Sequence, residues 1–502
     1  MISGGRLPFA FVGLALTYLA ASVNLSVTSI ALPSIASDLG ATTAQLSWIF
    51  NITPLVNAGL MLFAGAWADR FGRRLLLVSG LVIFLAGTVL SATANGVDPL
   101  ILWRALTGAG SALAMPAALA LTFDIVPEQG RRTAIGILGA TQAGGALVGP
   151  ILAGVSLAAW SWPATFLTVV PFIVIALAAT PRLPRSNPDT ATPMDARGAT
   201  LVSVAIVALV YAANELSART PLVAIVALAV AVIVVVVLVL WEQRAPHPLL
   251  DASVMRQRGF RIATVVIFGS QIVLGGFFFV MPQYLQLVLG HTPLEAGLLL
   301  IPALAAWVVA STTAARTAAA LHGVHRAVAL GLGLAALGYV LLAVQPASGS
   351  PVLLIGGLFL TGLGAVGPAL MTHTAVNSYR PEQRTIGAAV NGTAARFGFS
   401  FGVALLGGLL AAVYASAVAP VTSGLSAANA ATASGSLASA LTVSSSLPDG
   451  SALAAAARDA FTSGYVVTFA VAAAVCAALA IIVVVGLERV EDPRHGGARA
   501  GA

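Results

Sequence analysis

The chain contains no lysine, a single cysteine and few charges of either sign. Only 8% of its 502 residues are charged, against roughly 25% in an ordinary soluble domain. With 59% hydrophobic residues and a mean hydropathy of +0.97, the composition excludes a soluble globular fold. The lone Cys476 lies in an apolar run, which excludes a disulfide framework and a cysteine metal cluster. There is no G-x-x-x-x-G-K-[ST] loop, as an ATP-driven pump with its own motor would need, and no H-E-x-x-H zinc motif. No catalytic residue, metal or cofactor is therefore expected. The net charge of +7 suggests a nucleic-acid partner only until the arginines are located. They fall in short loops between apolar runs and read as topology markers, so no nucleic-acid partner is expected.

What the chain does have is long apolar runs. A spanning helix needs about 20 mostly apolar residues. Fourteen such runs are read at 9–32, 44–67, 75–94, 100–123, 133–158, 164–180, 199–214, 221–241, 262–287, 295–315, 327–345, 352–376, 386–414 and 463–486. The first begins like a signal peptide after Arg6 but continues to about Ile35, a spanning length rather than a short cleavable one. With the N-terminus cytoplasmic, 20 of the 24 arginines fall on the inner side. Arg219 and Arg458 fall outside, and Arg104 and Arg396 fall within helices. That asymmetry predicts an even number of spans and both termini in the cytoplasm of a cell membrane.

The chain also repeats itself. Pro127-Glu128-Gln129 recurs as Pro381-Glu382-Gln383. Gly145, Gly149 and Gly154 recur as Gly398, Gly402 and Gly407, and Pro33, Gly40 and Thr42 recur as Pro282, Gly290 and Thr292. Such a repeat predicts an all-α membrane fold of two six-helix halves with two inserted helices. The expected segments are a first half over 1–180, a cytoplasmic linker over 181–198 and the inserted pair over 199–241. A cytoplasmic loop over 242–261, a second half over 262–486 and a cytoplasmic tail over 487–502 follow. Within the second half, the Ala- and Ser-rich stretch 416–460 is expected to form an external loop, with room for a short helix.

The stretch Gly65-Ala66-Trp67-Ala68-Asp69-Arg70-Phe71-Gly72-Arg73-Arg74 joins the second and third runs. Gly65 allows close helix approach, and Gly72 permits a turn with positive φ. Asp69 can accept hydrogen bonds at a helix N-terminus in the other half, with Arg70, Arg73 and Arg74 pairing across the same seam. The bland alternative is a positive-inside loop with an incidental acid. This stretch closely resembles the loop 2–3 signature of the major facilitator superfamily. The resemblance implies a latch that stabilises the outward-facing state. Gly145-x-x-x-Gly149-Pro150-x-x-Ala153-Gly154 resembles the family's antiporter signature, with alanine at one glycine position; simple helix packing explains the same glycines. The helix 9–10 and helix 13 sequences, from Tyr284 to Pro302 and from Gly387 to Gly402, resemble the fourteen-helix drug:proton antiporter branch.

Ionisable groups inside a membrane are costly and mark candidate sites. Leu100-x-x-x-Arg104-x-x-x-Gly108-x-Gly110 resembles the family's helix 4 signature, whose Arg is linked to proton transfer; an Arg snorkelling to the interface is the alternative. Asp124, Glu295 and His373 are the other candidates for proton coupling. Each has a plainer reading: an interfacial charge, a helix-start acid and a hydrogen-bonded helix contact. Where the antiporter branch usually carries an Asp in helix 1, this chain has Asn24, which bonds but exchanges no proton. Thr17, Asn24 and Thr28 share one helical face, which either lines a polar cavity or bonds neighbouring helices. Asn24, Thr28, Gln283 and Asn391 are the candidate cavity residues. After helix 5, Trp160-Ser161-Trp162 lacks the family's Arg, and Val169 stands at the usual Asn.

The resemblance implies a proton-driven exporter of small amphipathic or cationic organic compounds working by alternating access. Its expected partners are a small-molecule substrate, protons and membrane lipids, and a monomer is expected. A lipid or secondary-metabolite exporter with weak or no proton coupling, and a non-transporting sensor on the same scaffold, are the alternatives.

Overall fold

Backbone groups in lipid have no water to bond, so long apolar runs close their hydrogen bonds internally as helices. The computed structural model describes residues 7–184, 196–217, 221–244, 254, 256–379, 384–448 and 450–491. In chain order its α-helices are α1 (Leu7–Leu39), α2 (Thr43–Phe71), α3 (Arg73–Ala92), α4 (Val97–Ile125), α5 (Glu128–Ala159), α6 (Trp162–Leu167) and α7 (Val170–Ala179). The pair α8 (Ala196–Ser217) and α9 (Pro221–Glu242) follows. Then come α10 (Arg258–Gln283), α11 (Pro293–Leu299), α12 (Ile301–Ala320), α13 (Val324–Ser348), α14 (Pro351–Leu363), α15 (Val366–Asn377), α16 (Arg384–Thr422), α17 (Ala427–Gly435), α18 (Leu437–Ser445) and α19 (Gly450–Glu491). Every predicted run has a helical counterpart. Among the described residues, thirteen segments are long and apolar enough to cross a membrane. The remaining long helix, the 29-residue α2, carries Ser47, Asn51, Thr53 and Asn57 within its apolar run.

Several spans are interrupted where proline removes a backbone donor. The sixth breaks between α6 and α7, where Pro171 cannot bond back to Leu167, and the tenth breaks before Pro302. After α10 the chain makes a π turn over Tyr284–Val288, which adds one residue to the helix. That insertion shifts the internal repeat. Before it, Ser22 matches Gln271; after it, Thr42 matches Thr292, one residue further along.

The repeat is visible in the packing of glycines. A Cβ on Gly145 would meet Leu19 O at 2.8 Å and Ser22; one on Gly398 would meet Phe268 O at 2.6 Å and Gln271. A Cβ on Gly108 would lie 2.6 Å from Thr53 O, and on Gly362 2.1 Å from Ala303 O. The same backbone approaches therefore recur in the first half (α1–α7) and the second half (α10–α19). Both halves also start a helix alike. Gly40 (φ 63°) precedes a capping box of Thr42 and Gln45, and Gly290 (φ 73°) precedes one of Thr292 and Glu295.

The inserted pair lies on one flank. α8 packs on α2 and on α16, and α9 packs on α8. Ser47 Oγ donates to Asn214 Oδ1 at 2.8 Å, and Leu55, Ala58, Ile206, Val210 and Ala404 form an apolar cluster joining all three helices.

The stretch 416–460 departs from the expected loop. α16 runs to Thr422 and α19 starts at Gly450, with α17 and α18 between them. Alanine supplies helix propensity, and Ser426 and Ser436 accept from Asn429 N and Ser439 N as N-caps. The segment packs over the α1–α2 turn. Thr43 Oγ1 donates to Gly435 O and Ser436 Oγ to Ala41 O, both at 3.1 Å.

Candidate functional site

Gly72 makes the turn expected of it. With φ 96° it ends α2 and begins α3, a conformation an L side chain rarely adopts. Arg73 Nη1 lies 2.6 Å from Asp124 Oδ1 at the end of α4. Arg74 Nη1 donates to Leu183 O at 3.3 Å, and the exposed Arg70 lies over the Phe71 ring. In this conformation Arg73 pairs with Asp124 within the first half, and Arg74 reaches the start of the linker segment. The side-chain environment of Gly65 and Asp69 falls outside the described residues. The ion pair joins two of the predicted groups, a latch arginine and a proton-coupling candidate. Both side chains are about a third exposed (34% and 30%), so solvent limits the pair to about 1 kcal/mol or less.

The Gly-Pro stripe on α5 touches two partners. Gly145 and Gly149 face α1: a Cβ on Gly149 would sit 2.5 Å from Ser26 Cβ. Gly154 and Pro150 face α11 of the other half. A Cβ on Gly154 would sit 2.5 Å from Leu294 Cα, and one on Gly297 2.6 Å from Pro150 O. Toward the opposite end of α5, Gly136, Gly139 and Gly144 meet nothing within 4 Å. The seam between α5 and the second half is thus closed at the end bearing Thr42 and Thr292, and loose at the end bearing Gly72. Ser29 donates to Phe278 O, and Gln286 Nε2 donates to Ile30 O at 3.0 Å, both on the closed side.

Arg104 is fully buried (0% exposed). The interfacial snorkelling offered as its alternative is thereby corrected: α1 and α6 enclose it. Its Nη1 donates to Asn24 Oδ1 at 2.7 Å, and its guanidinium carbon lies 5.3 Å from the centre of the Phe166 ring. Thr53 Oγ1 donates to Arg104 O at 2.9 Å. The helix 4 arginine thus meets the helix 1 position where the expected carboxylate is replaced by an amide. Asn24 Nδ2 and Arg104 Nε and Nη2 have no hydrogen-bond partner among the described residues.

Magnitudes show that this arrangement is incomplete. An arginine costs at least ~3 kcal/mol at the centre of a spanning helix and less toward its end, where Arg104 lies. A hydrogen bond to a charged group contributes about 1.5–3 kcal/mol, and a desolvated cation–π contact about 2 kcal/mol. Those terms offset the first cost. They leave three orphaned donors, each costing about 1–3 kcal/mol. The guanidinium stays charged regardless. Among the described residues no carboxylate is paired with it. Asp38, Asp69, Asp98, Asp124, Glu128, Glu215, Glu242, Glu295, Glu488 and Glu491 all lie near the ends of their helices, and Asp459 lies in the first quarter of the 42-residue α19.

The other predicted residues are dispersed. Thr28 is buried and donates to Asn24 O at 2.7 Å; Gln283 is buried and donates to Phe279 O at 2.7 Å. Both bond within their own helices, and neither lies on an open surface in this conformation. Asn391 donates to Thr372 Oγ1 at 3.4 Å, and its Oδ1 has no hydrogen-bond partner among the described residues. Glu295 caps α11 by accepting from Thr292 N at 2.8 Å, with His291 Nδ1 3.7 Å away. Its repeat counterpart, Gln45, caps α2 in the same way without an ionisable group. His373 is exposed and bonds to Asn377 at 2.9 Å.

Some contacts were not legible beforehand. Arg396 of α16 crosses to the first half, where Met115 Sδ lies 3.7 Å from its Nη2; Tyr18 OH donates to Met115 O nearby at 3.2 Å. Ser400 donates to Asn51 across the same seam. Trp162 Nε1 donates to Asp38 Oδ2 at 2.7 Å and ties α6 to the end of α1. The signal was available in each case as a polar residue within an apolar run, but its partner lay far along the chain.

Comparison with known proteins matches this geometry. The profile of the Major Facilitator Superfamily matches residues 14–403. The chain is 32% identical over 486 residues to the multidrug efflux pump LfrA of Mycolicibacterium smegmatis, covering 95% of each chain. It is 29% identical to the methyl viologen resistance protein SmvA of Salmonella typhimurium, covering 93% of this chain and 95% of that one. Its fold is similar to a bacterial homolog of the human lysosomal transporter Spinster in an inward-facing and unoccupied conformation, with a TM-score of 0.71 at 16% identity, covering 97% and 98% of the two chains. A peptide transporter, POT, in complex with sulfate gives a TM-score of 0.65 at 14% identity, covering 97% and 94%. The chain belongs to the Major Facilitator Superfamily, in its multidrug-efflux branch, and is a multi-pass membrane transporter of small molecules rather than an enzyme.

Proposed function

We propose that the chain exports amphipathic or cationic organic compounds across the cell membrane, driven by the proton gradient through alternating access. The observation that carries this reading is the seam: two repeated halves are held by glycine contacts at one end, while Gly136, Gly139 and Gly144 of α5 face open space at the other. A cavity between such halves opens to one side at a time when the halves rock. The organisation is two six-helix halves over 1–180 and 262–486 around the inserted pair, acting as a monomer among membrane lipids with both termini cytoplasmic. Asp69 and the arginines after it act as the latch between states. Gly145, Gly149, Pro150 and Gly154 form the pivot. Asp124, Glu295 and His373 are the titratable groups offered for coupling, with Arg104 as the charge that responds to them.

Methyl viologen, lincomycin and puromycin are the probes to try first, because related proteins are named for resistance to them. Accumulation in everted vesicles containing the full chain is the test. Uptake that a protonophore abolishes supports the reading, and no uptake of any probe refutes it. Uptake indifferent to the protonophore supports a second reading, an exporter with weak or no proton coupling. That reading is favoured by Asn24 and by carboxylates lying away from the middle of the spanning helices.

A further inference from the structure

Arg104 and Asn24 touch each other, are 0% and 1% exposed, and together hold three side-chain nitrogen atoms without a hydrogen-bond partner among the described residues. All three are donors, because a guanidinium accepts nothing and an amide nitrogen only donates. The one acceptor of the pair, Asn24 Oδ1, is already used by Arg104 Nη1. A cluster of unsatisfied donors bearing a full positive charge is complementary to an anion. Among the described residues the surrounding groups offer none: the facing ring is Phe166, and Thr53 Oγ1 donates to the Arg104 carbonyl.

The second half shows that the fold itself does not require this charge. The packing that matches Gly108 to Gly362 and Gly110 to Gly364 places Leu358 at the repeat position of Arg104, and the match of Ser22 to Gln271 places Val273 at that of Asn24. Both are buried apolar residues, 0% and 2% exposed. The polar pair is therefore an addition to the first half with an unmet need.

We propose that Arg104 and Asn24 form a binding site for a small monovalent anion, held between α1, α4 and α6. Either a free halide or a carboxylate carried on the cargo presents the required chemistry. The anion takes the place of a fixed negative side chain at Asn24, so its occupancy sets the charge of the first half. The site rests on the contacts of that half and stands whether or not export is proton-driven.

Binding is tested without transport. The purified full-length chain in detergent, in sodium sulfate, whose anion is divalent, is titrated with sodium chloride or with sodium acetate at constant ionic strength. Thermal unfolding and binding of radiolabelled chloride are followed. Saturable stabilisation by chloride supports the site as one for a free anion; at one hundred times the dissociation constant the folded-to-unfolded ratio rises about 100-fold. Saturable stabilisation by acetate alone supports the cargo carboxylate as the source. Asn24→Asp supplies the charge permanently and is expected to weaken the anion response at least about tenfold, the factor that 1.4 kcal/mol of lost binding represents. Arg104→Leu, which copies the second half, is expected to remove the response. Stabilisation by neither anion, or an undiminished response in both variants, overturns the proposal.

Discussion

In the first half, a buried arginine on α4 reaches an asparagine on α1 under an aromatic ring. In the second half, the corresponding places hold Leu358 and Val273, both buried and apolar. The glycine approaches on either side of these pairs are shared, so the difference is not one of architecture. It separates what the fold requires, close backbone approach at fixed glycines, from what one half adds, a charge whose burial is only partly offset. The turn after α2 follows the same pattern. Gly72 and the Arg73–Asp124 pair belong to the first half, whereas the matching turn near Gly323 keeps Arg316 and Arg326 but no acid.

The comparison breaks most sharply if the halves are exchanged at these positions. Leu358→Arg places a cation where no asparagine faces it, and is expected to destabilise the protein by at least ~3 kcal/mol, read as loss of folded protein after purification. Gly402→Leu comes next. A Cβ there would already lie 2.0 Å from Ile272 O, and overpacking costs about 1–3 kcal/mol or more. Gly136→Leu, facing open space, is expected to leave thermal stability within about 0.5 kcal/mol. Asp124→Asn breaks an ion pair that solvent already weakens, with an expected cost of about 1 kcal/mol or less. Glu295→Gln should change stability least and leave the pH profile of export unchanged, because Gln45 shows that the capping box works without the charge. A shifted pH profile in that variant would make Glu295 a coupling residue.

Much of this was legible in the sequence, for identifiable reasons. Spans are set by run length, and the turn at Gly72 by a glycine between two helices, so both could be read locally. The repeat was visible because glycines that meet a backbone have no substitute. Depth was not legible. Arg104 lies only a turn or two into α4, which suggested an exposed end. Its burial depends on Phe166 and Asn24, which are distant in sequence. The π turn after Gln283 registers in sequence only as a one-residue slip in the repeat, and its cause needs coordinates. The stretch 416–460 looked like loop because its serines are polar, whereas two of them serve as helix caps.

Methyl viologen uptake into everted vesicles, measured for the wild type and for Arg104→Leu with and without a protonophore, tests the central claim most directly. The account predicts protonophore-sensitive uptake by the wild type. It predicts an Arg104→Leu protein that inserts, is at least as stable as the wild type and does not transport. Wild-type rates of uptake by Arg104→Leu would contradict it, since the charge that distinguishes the first half would then have no part in transport.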